Sequence, residues 1–338
     1  MKIAIIGAGA IGSVVAAYLH KAGEDVVLVG REDQVQAVNQ NGLTVKGING
    51  QENFKLKALT QLDCEVDLAI FATKTQDLAF AYTHNQETLE NCEVLTTQNG
   101  VQADNILSCH FGREKMFSSI VMFGATYIKP GEVTYNFKGD WIIGRPFLPV
   151  NPKTHKIAEV LGKAFHTVIS MDITGMKWLK LFVNFNNCIP ALIGKSMQET
   201  YSDMDFCRLS IELLKEGYDI VQKGGAKLVS LPEFPKERIE GLVKMPVEQA
   251  AGIINQTLPK LSKEPLYGSI LQSIMRGKMS EIEFINGEVV HMAQQMQMGA
   301  PLNGLILEMV HQVEESKKYF QPEEVKQKFN IQSSEASK

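Results

Sequence analysis

The 338-residue chain lacks an excess of charge of either sign: 34 Lys and Arg stand against 38 Asp and Glu, a net charge of −4. Counterion release on a nucleic-acid backbone needs a basic surface, so global electrostatic binding of nucleic acid is excluded. The chain also lacks paired cysteines. Five stand at 64, 92, 109, 188 and 207, an odd number with no C-x-x-C, and no His pair at ligand spacing accompanies them. Neither a disulfide framework nor a zinc or other metal site is expected, and reduced thiols in a bacterial-type cytoplasm are. No apolar run approaches the roughly 20 residues that span a bilayer, so no membrane partner is expected. The opening MKIAIIGAGAIG is apolar like the core of a signal peptide. It runs through glycines into an amphipathic segment with Glu24, Asp25 and Arg31, however, and reads as structure. No internal repeat is present.

What the chain has is ordinary globular material, 44% hydrophobic and 21% charged, enough to bury a core, and a length that predicts two domains at roughly 150 residues each. The first half alternates strand and helix signals. Strands are expected at Lys2–Ile6, Asp25–Val29, Asp67–Ala72 and Glu93–Thr97, with helices at Ala10–Lys21 and Glu32–Gln40. Leu43–Val45 and Phe54–Leu59 read as a pair of short strands. Lys115–Ile143 reads as all strand, turning at Lys129-Pro130-Gly131, and suggests antiparallel additions at the sheet edge. A helix at Lys153–Phe165 closes this half. Beyond about Thr174 the spacing is helical, with one apolar stripe through Phe206, Leu209, Leu213, Leu214, Ile220 and Val221. A second runs through Ile282, Ile285, Val289 and Met292. The segment Leu231–Lys263, with four prolines, reads as broken helices and loops, and the polar tail after Gln321 is expected to fray. The expectation is an α/β domain over 1–170 followed by an all-α domain over 171–338.

Gly7-Ala8-Gly9-Ala10-Ile11-Gly12 matches G-x-G-x-x-G between a strand and a helix. Gly7 permits the turn, Gly9 the approach of a pyrophosphate, and Gly12 close packing of helix on strand; the alternative is a packing turn without ligand. The second strand ends in Gly30-Arg31 rather than an acid. A cation there suits a 2′-phosphate and predicts NADP(H); the alternative is a solvated Arg31, with Glu32 accepting from an NAD ribose. Lys74 and Asn99 follow two further strands, where open sheets bind ligands. In the apolar segment from Trp178 to Leu192, Lys180, Asn184 and Cys188 recur every four residues and share a face of a helix. Lys180 there is either a snorkelling lysine or a desolvated proton donor of lowered pKa.

The GAGAIG turn, FATKTQD, TTQNGV, GATYIKPGEV, WLKLFVNFNNCIPAL, GSILQSIMRGKMSEIEFINGEVV and GAPLNGLILEMV, in this order, resemble the ketopantoate reductase family (2-dehydropantoate 2-reductase) over essentially the whole chain. The resemblance implies a Rossmann-like dinucleotide-binding domain, a helical domain of the 6-phosphogluconate-dehydrogenase-like kind, and an active site in the cleft between them. It implies NADPH-dependent reduction of the 2-oxo acid ketopantoate in pantothenate and coenzyme A biosynthesis. By position, Gly7 to Gly12 and Arg31 would bind NADP, and Lys74, Asn99 and Ala125 would line cofactor and substrate. Lys180 resembles the catalytic lysine that protonates the ketone oxygen, Asn184 and Ser269 would hold substrate, and Glu281 resembles the acid that binds its hydroxyl group. Cys188 occupies the substrate position where the family usually has a second Asn; a thiol is a weak donor and poor acceptor, so a contact is lost or exchanged. Tyr267-Gly268 offers no hydroxyl beside Ser269, and Ser273 stands where an Asp is common. These departures leave open a D-2-hydroxy-acid dehydrogenase of the same fold acting on a branched or aromatic 2-oxo acid. A non-catalytic NADP-binding sensor is the reading from another class. A homodimer through the helical domain is compatible with the methionine-rich stretch at Met292, Met296 and Met298.

Overall fold

Unbroken apolar runs build the first sheet. In β1 (Lys2–Ile6) and β2 (Asp25–Val29) every residue after the first is buried, as in strands covered on both faces. The computed structural model describes residues 1–262 and 264–331. It divides into two units, Met1–Thr174 and Gly175–Lys338.

In the first unit the remaining strands follow in chain order. They are β3 (Leu43–Gly47), β4 (Glu52–Phe54), β5 (Lys57–Leu59), β6 (Leu68–Phe71), β7 (Glu93–Thr96), β8 (Met116–Val121), β9 (Gly124–Lys129), β10 (Glu132–Phe137), β11 (Trp141–Gly144) and β12 (Thr167–Ile169). Eight of them form one sheet in the order β12-β11-β8-β7-β6-β1-β2-β5. The pairs from β8 through to β5 are parallel, and only the β8–β11 pair is antiparallel. Helices Ala10–Lys21, Glu32–Asn41 and Pro152–Gly162 match the expected segments to within a turn.

Two expectations for the first unit need correction. Of the strands between Lys115 and Ile143, only β11 adds antiparallel to the main sheet. β9 and β10 pair with each other and join β3 and β4 in a second sheet, β4-β3-β10-β9. Burial explains the departure: all six residues of β8 are buried, whereas β9 has none that is fully so. The expected strand Phe54–Leu59 is also two strands. β4 pairs with β3, while β5 crosses to lie beside β2. No Gly or Pro marks the break, and the alternation of buried Phe54, Leu56 and Ala58 runs straight through it.

The second unit is helical. Its long helix Met204–Lys223 buries all six residues of the expected stripe. The stripe from Ile282 is not one helix: Ile282–Phe284 is a 3-10 turn, and the α-helix runs Asn286–Gln295. The segment beyond Leu231 holds helices Glu237–Lys244 and Val247–Thr257; its end at Lys263 lies outside the described residues. The tail does not fray where expected. Pro322–Lys328 is a helix with a reciprocal Gln321/Glu324 cap, a fully buried Val325, and Lys326 paired with Asp203 (2.7 Å) and Asp205 (3.0 Å). Residues 332–338 of that tail lie outside the described residues.

The segment carrying Lys180 also differs from a single helix. It runs Ile173–Asn184, a 3-10 turn at Phe185–Asn187, then Cys188–Ile193. Pro190 has no N–H to give the carbonyl of Asn186 four residues earlier. That carbonyl instead accepts from the Tyr201 hydroxyl at 2.7 Å, and Tyr201 is fully buried. Among the described residues no helix is long and apolar enough to cross a membrane.

Tyr201→Phe removes the hydroxyl that donates to the half-buried Asn186 carbonyl. The expected loss is about 1–3 kcal/mol of unfolding free energy, read as a lower denaturant midpoint at unchanged slope. An unshifted midpoint would show that the carbonyl is satisfied otherwise.

Candidate active site

In the first unit the ends of parallel strands converge. Open sheets bind ligands beyond the carboxyl ends of their strands, where the strand order reverses. That point here is β1, with β2 on one side and β6 and β7 on the other. Gly7 holds φ +119° and donates its N–H to the Val29 carbonyl at 2.9 Å. A methyl group on Gly7 would lie 2.5 Å from the Thr73 nitrogen, and one on Gly12 would collide with the Gly7 carbonyl oxygen. These two glycines are thus required by backbone approaching backbone. Gly9 is different: a methyl there would meet nothing within 4 Å among the described residues. The turn is open at the place where a pyrophosphate has to approach. Ala8 touches the end of β2, since a methyl on Gly30 would meet its Cβ at 2.5 Å. Ala10 starts the helix, and Ile11 packs onto the core.

Arg31 follows β2 and caps the helix Glu32–Asn41, with its side chain exposed. The competing acid, Glu32, accepts from Gln36 Nε2 at 2.7 Å one turn along the helix. Buried Gln34 anchors the same helix by accepting from the Gly131 N–H (2.7 Å) and the Tyr127 hydroxyl (3.1 Å) of the β9–β10 hairpin. Lys74 is half-buried and caps the short turn after β6. Asn99 is half-buried after β7, and its amide has no partner among the described residues. Gln98 was not singled out by sequence, yet it ties these loops together. Its Nε2 donates to the carbonyls of Phe71 and Thr73, each at 2.9 Å. The neighbouring Thr73 hydroxyl is buried without a partner. Open Gly9, the orphaned Thr73 hydroxyl and the uncommitted Asn99 amide fit a dinucleotide. Ala125 is not on these strand ends. It lies on β9 in the second sheet, opposite Tyr135, on a strand that packs against the helix Ala10–Lys21.

In the second unit Lys180 is half-buried on the helix Ile173–Asn184. Its pKa is lowered to about 8, by burial first and then by the charge of Lys177, while the carboxylate of Glu281 acts to raise it. Lys177 is only 3% exposed. It was missed in the sequence, although a second lysine one turn before Lys180 in so apolar a stretch was a signal. Glu281 is held from both sides. The Ser280 N–H donates to Glu314 Oε1 (2.6 Å), and the Ile282 N–H donates to the Ser280 hydroxyl (3.2 Å). Glu314 also meets His311 Nδ1 (3.0 Å), whose Nε2 meets Glu283 Oε1 (2.8 Å). Burial acts to lower the His311 pKa, but the two carboxylates outweigh it and the pKa is raised.

Asn184 is half-buried, with no side-chain hydrogen bond among the described residues, and Ser269 is exposed at the start of the helix Ser269–Met275. Cys188 does not join Asn184 on one face. It is fully buried, and its thiol donates to the Phe185 carbonyl at 3.0 Å. Burial first of all pushes its pKa up to about 12. The second unit therefore holds a lysine of lowered pKa, a carboxylate that acts on it and, at Asn184, an amide without a hydrogen-bond partner among the described residues. No metal-binding cluster of His, Cys, Asp or Glu occurs among the described residues.

Comparison with known proteins gives concordant results. Residues 3–146 match the family model Ketopantoate reductase PanE/ApbA, and residues 172–314 match its C-terminal counterpart. A 2-dehydropantoate 2-reductase of Pyrococcus horikoshii is 32% identical over 316 residues, covering 92% of this chain and 96% of that protein. Among solved structures, a PanE/ApbA family ketopantoate reductase from Ralstonia eutropha aligns with TM-score 0.78 at 25% identity, over 94% of this chain and 99% of that one. A D-mandelate dehydrogenase with NADH and anilino(oxo)acetate has the same fold, with TM-score 0.80 at 22% identity and the same coverage. With both family models matched in order along one chain, and an α/β sheet unit followed by a helical one, this protein belongs to the ketopantoate reductase (PanE/ApbA) family.

Proposed function

We propose that the protein reduces the 2-oxo acid 2-dehydropantoate (ketopantoate) to pantoate with NADPH, a step toward pantothenate and coenzyme A. The observation that carries the reading is Lys180, a lysine of pKa about 8 on an apolar helix, coupled to Glu281. A ketone that accepts hydride builds negative charge on oxygen, and a cation or acid aimed at that oxygen lowers the barrier. Bound NADPH supplies the hydride. Lys180 donates its Nζ proton to the ketone oxygen and is left neutral, a state that burial and Lys177 both favour. Glu281 holds the lysine's positive charge beforehand and accepts from the hydroxyl formed at C2. Asn184 and Ser269 orient the acid. The unit Met1–Thr174 would hold the dinucleotide, with Gly7 to Gly12 at the pyrophosphate and Lys74 and Asn99 beside it. Arg31 would hold the 2′-phosphate, a role favoured over Glu32 because Glu32 is engaged with Gln36.

NADPH consumption with ketopantoate and a panel of other 2-oxo acids tests this directly. Preference for ketopantoate is expected; preference for an aromatic or branched acid would make the protein a D-2-hydroxy-acid dehydrogenase, and cofactor binding without any turnover a sensor. Lys180→Ala should lower kcat/KM by about 10²- to 10⁴-fold while NADPH binding persists; near-normal turnover refutes the lysine's role. Arg31→Ala should raise the KM for NADPH about 10-fold or more, as loss of a charge-assisted bond does, and leave that for NADH near its original value. A wild-type preference for NADH sinks the Arg31 assignment.

The pH dependence has a definite sign. Reduction needs protonated Lys180, so kcat/KM should be level below about pH 8 and fall roughly tenfold per unit above it. Oxidation of the hydroxy acid should show the opposite limb. Lys177→Met removes a neighbour that lowers the pKa and should carry the falling limb to higher pH. Glu281→Gln removes one that raises it and should carry the limb lower. A limb fixed in both variants would disconnect it from Lys180.

A further inference from the structure

The residue that replaces the missing second asparagine is readable from the 3-10 turn. On an ideal α-helix, Cys188 would follow Asn184 on one face. In the turn Phe185–Asn187 the chain instead advances about 120° per residue rather than about 100°, so side chains three apart eclipse. Asn184 and Asn187 bracket this turn with nearly identical backbone angles, φ −80°, ψ −11° and φ −82°, ψ −15°. They therefore face one way. Cys188, one α-step further, is rotated by about 100° from them.

The neighbours of three successive residues bear out this fan. The Asn186 side chain accepts from the Ser210 hydroxyl of the helix Met204–Lys223 at 2.6 Å. Cys188 turns the other way, into the core beside Asn286. Asn187 lies against Gly268, where an added methyl group would collide with its carboxamide. Gly268 immediately precedes Ser269. The Asn187 amide is half-buried and has no hydrogen-bond partner among the described residues, a costly state unless a ligand supplies one.

We propose that Asn187, and not Cys188, completes the acid-binding face with Asn184 and Ser269, and that its amide recognises a hydroxyl group on the 2-oxo acid remote from the ketone. The proposal rests on the 2-oxo acid reduction proposed above. Position argues for the remote group. Asn187 follows Asn184 one 3-10 turn further from Lys180 along the same face. With Lys180 at the ketone oxygen, Asn187 meets the other end of the molecule. A fully buried thiol already donating to Phe185 has nothing to offer there.

The test compares two acids that differ only by that hydroxyl, ketopantoate and trimethylpyruvate, with wild type, Asn187→Ala, Gly268→Ala and Cys188→Ala. The quantity read is the ratio of the two kcat/KM values. Asn187→Ala should lower it about 10- to 100-fold, the span of a lost hydrogen bond in a desolvated site, through the KM of ketopantoate and with the KM for NADPH unmoved. Gly268→Ala, which pushes the amide aside, should move the ratio in the same direction. A ratio unchanged in Asn187→Ala, or lowered in Cys188→Ala alone, overturns the proposal while reduction stands. So does a wild type that takes both acids equally well. A wild type that reduces no 2-oxo acid overturns the reading above and this one with it.

Discussion

A single missing hydrogen bond organises the helical unit. Pro190 cannot answer the carbonyl of Asn186, and an α-helix cannot carry that vacancy in an apolar interior without another donor. Tyr201 supplies it at 2.7 Å. The chain tightens to a 3-10 turn just before, and three consecutive polar or polarisable residues fan out toward three different helices. A continuous helix would have buried Asn187 or exposed Cys188 in some other combination. Which side chains share the face of Asn184 is therefore decided by the backbone several residues away from them.

The second constraint is electrostatic. Burial disfavours the charged form of Lys180, and the charge of Lys177 one turn before it acts in the same direction. The Glu281 carboxylate acts to raise the Lys180 pKa, and the backbone on either side of Glu281 is tied through Ser280 and Glu314. The balance leaves Lys180 near pH 8, where it can exist in either form at little cost. A lone lysine on the same helix would be less easily deprotonated, and one without the carboxylate less easily charged.

Much of the first unit was legible because its signals are local. Doubly buried parallel strands are continuous apolar runs, and the glycines at 7 and 12 are demanded by contacts that any other residue would break. The sheet edges were not legible. β5 leaves β4 with no Gly or Pro between them, and β9 leaves the main sheet because of what covers its faces, which no local period records. Of the candidate site, Lys180, Glu281, Asn99 and the glycine turn are named as candidates by motif and spacing. Lys177 left a signal in the apolar stretch around it, whereas Gln98 left none, because its partners are the carbonyls of Phe71 and Thr73, distant in sequence. The four-residue spacing of Asn184 and Cys188 misled for a definite reason: it assumed 100° per residue where a proline imposed a tighter step.

The packed segment Pro322–Lys328 bears on how the chain is made. The Phe320 N–H donates to the Leu192 carbonyl at 2.9 Å, and Lys326 neutralises the aspartates that open the long helix. During synthesis, residues 192, 203 and 205 emerge long before 320 and 326 do. The sheet unit has all its strands by then. In the helical unit Asp203 and Asp205, the latter already paired with Arg208, still lack Lys326, and the site that buries Val325 is unfilled until the late segment arrives. Such a contact, formed across a large separation in sequence, delays folding and prolongs the interval in which apolar surface is exposed. On the ribosome, then, the half with Lys180 is the one that needs shelter.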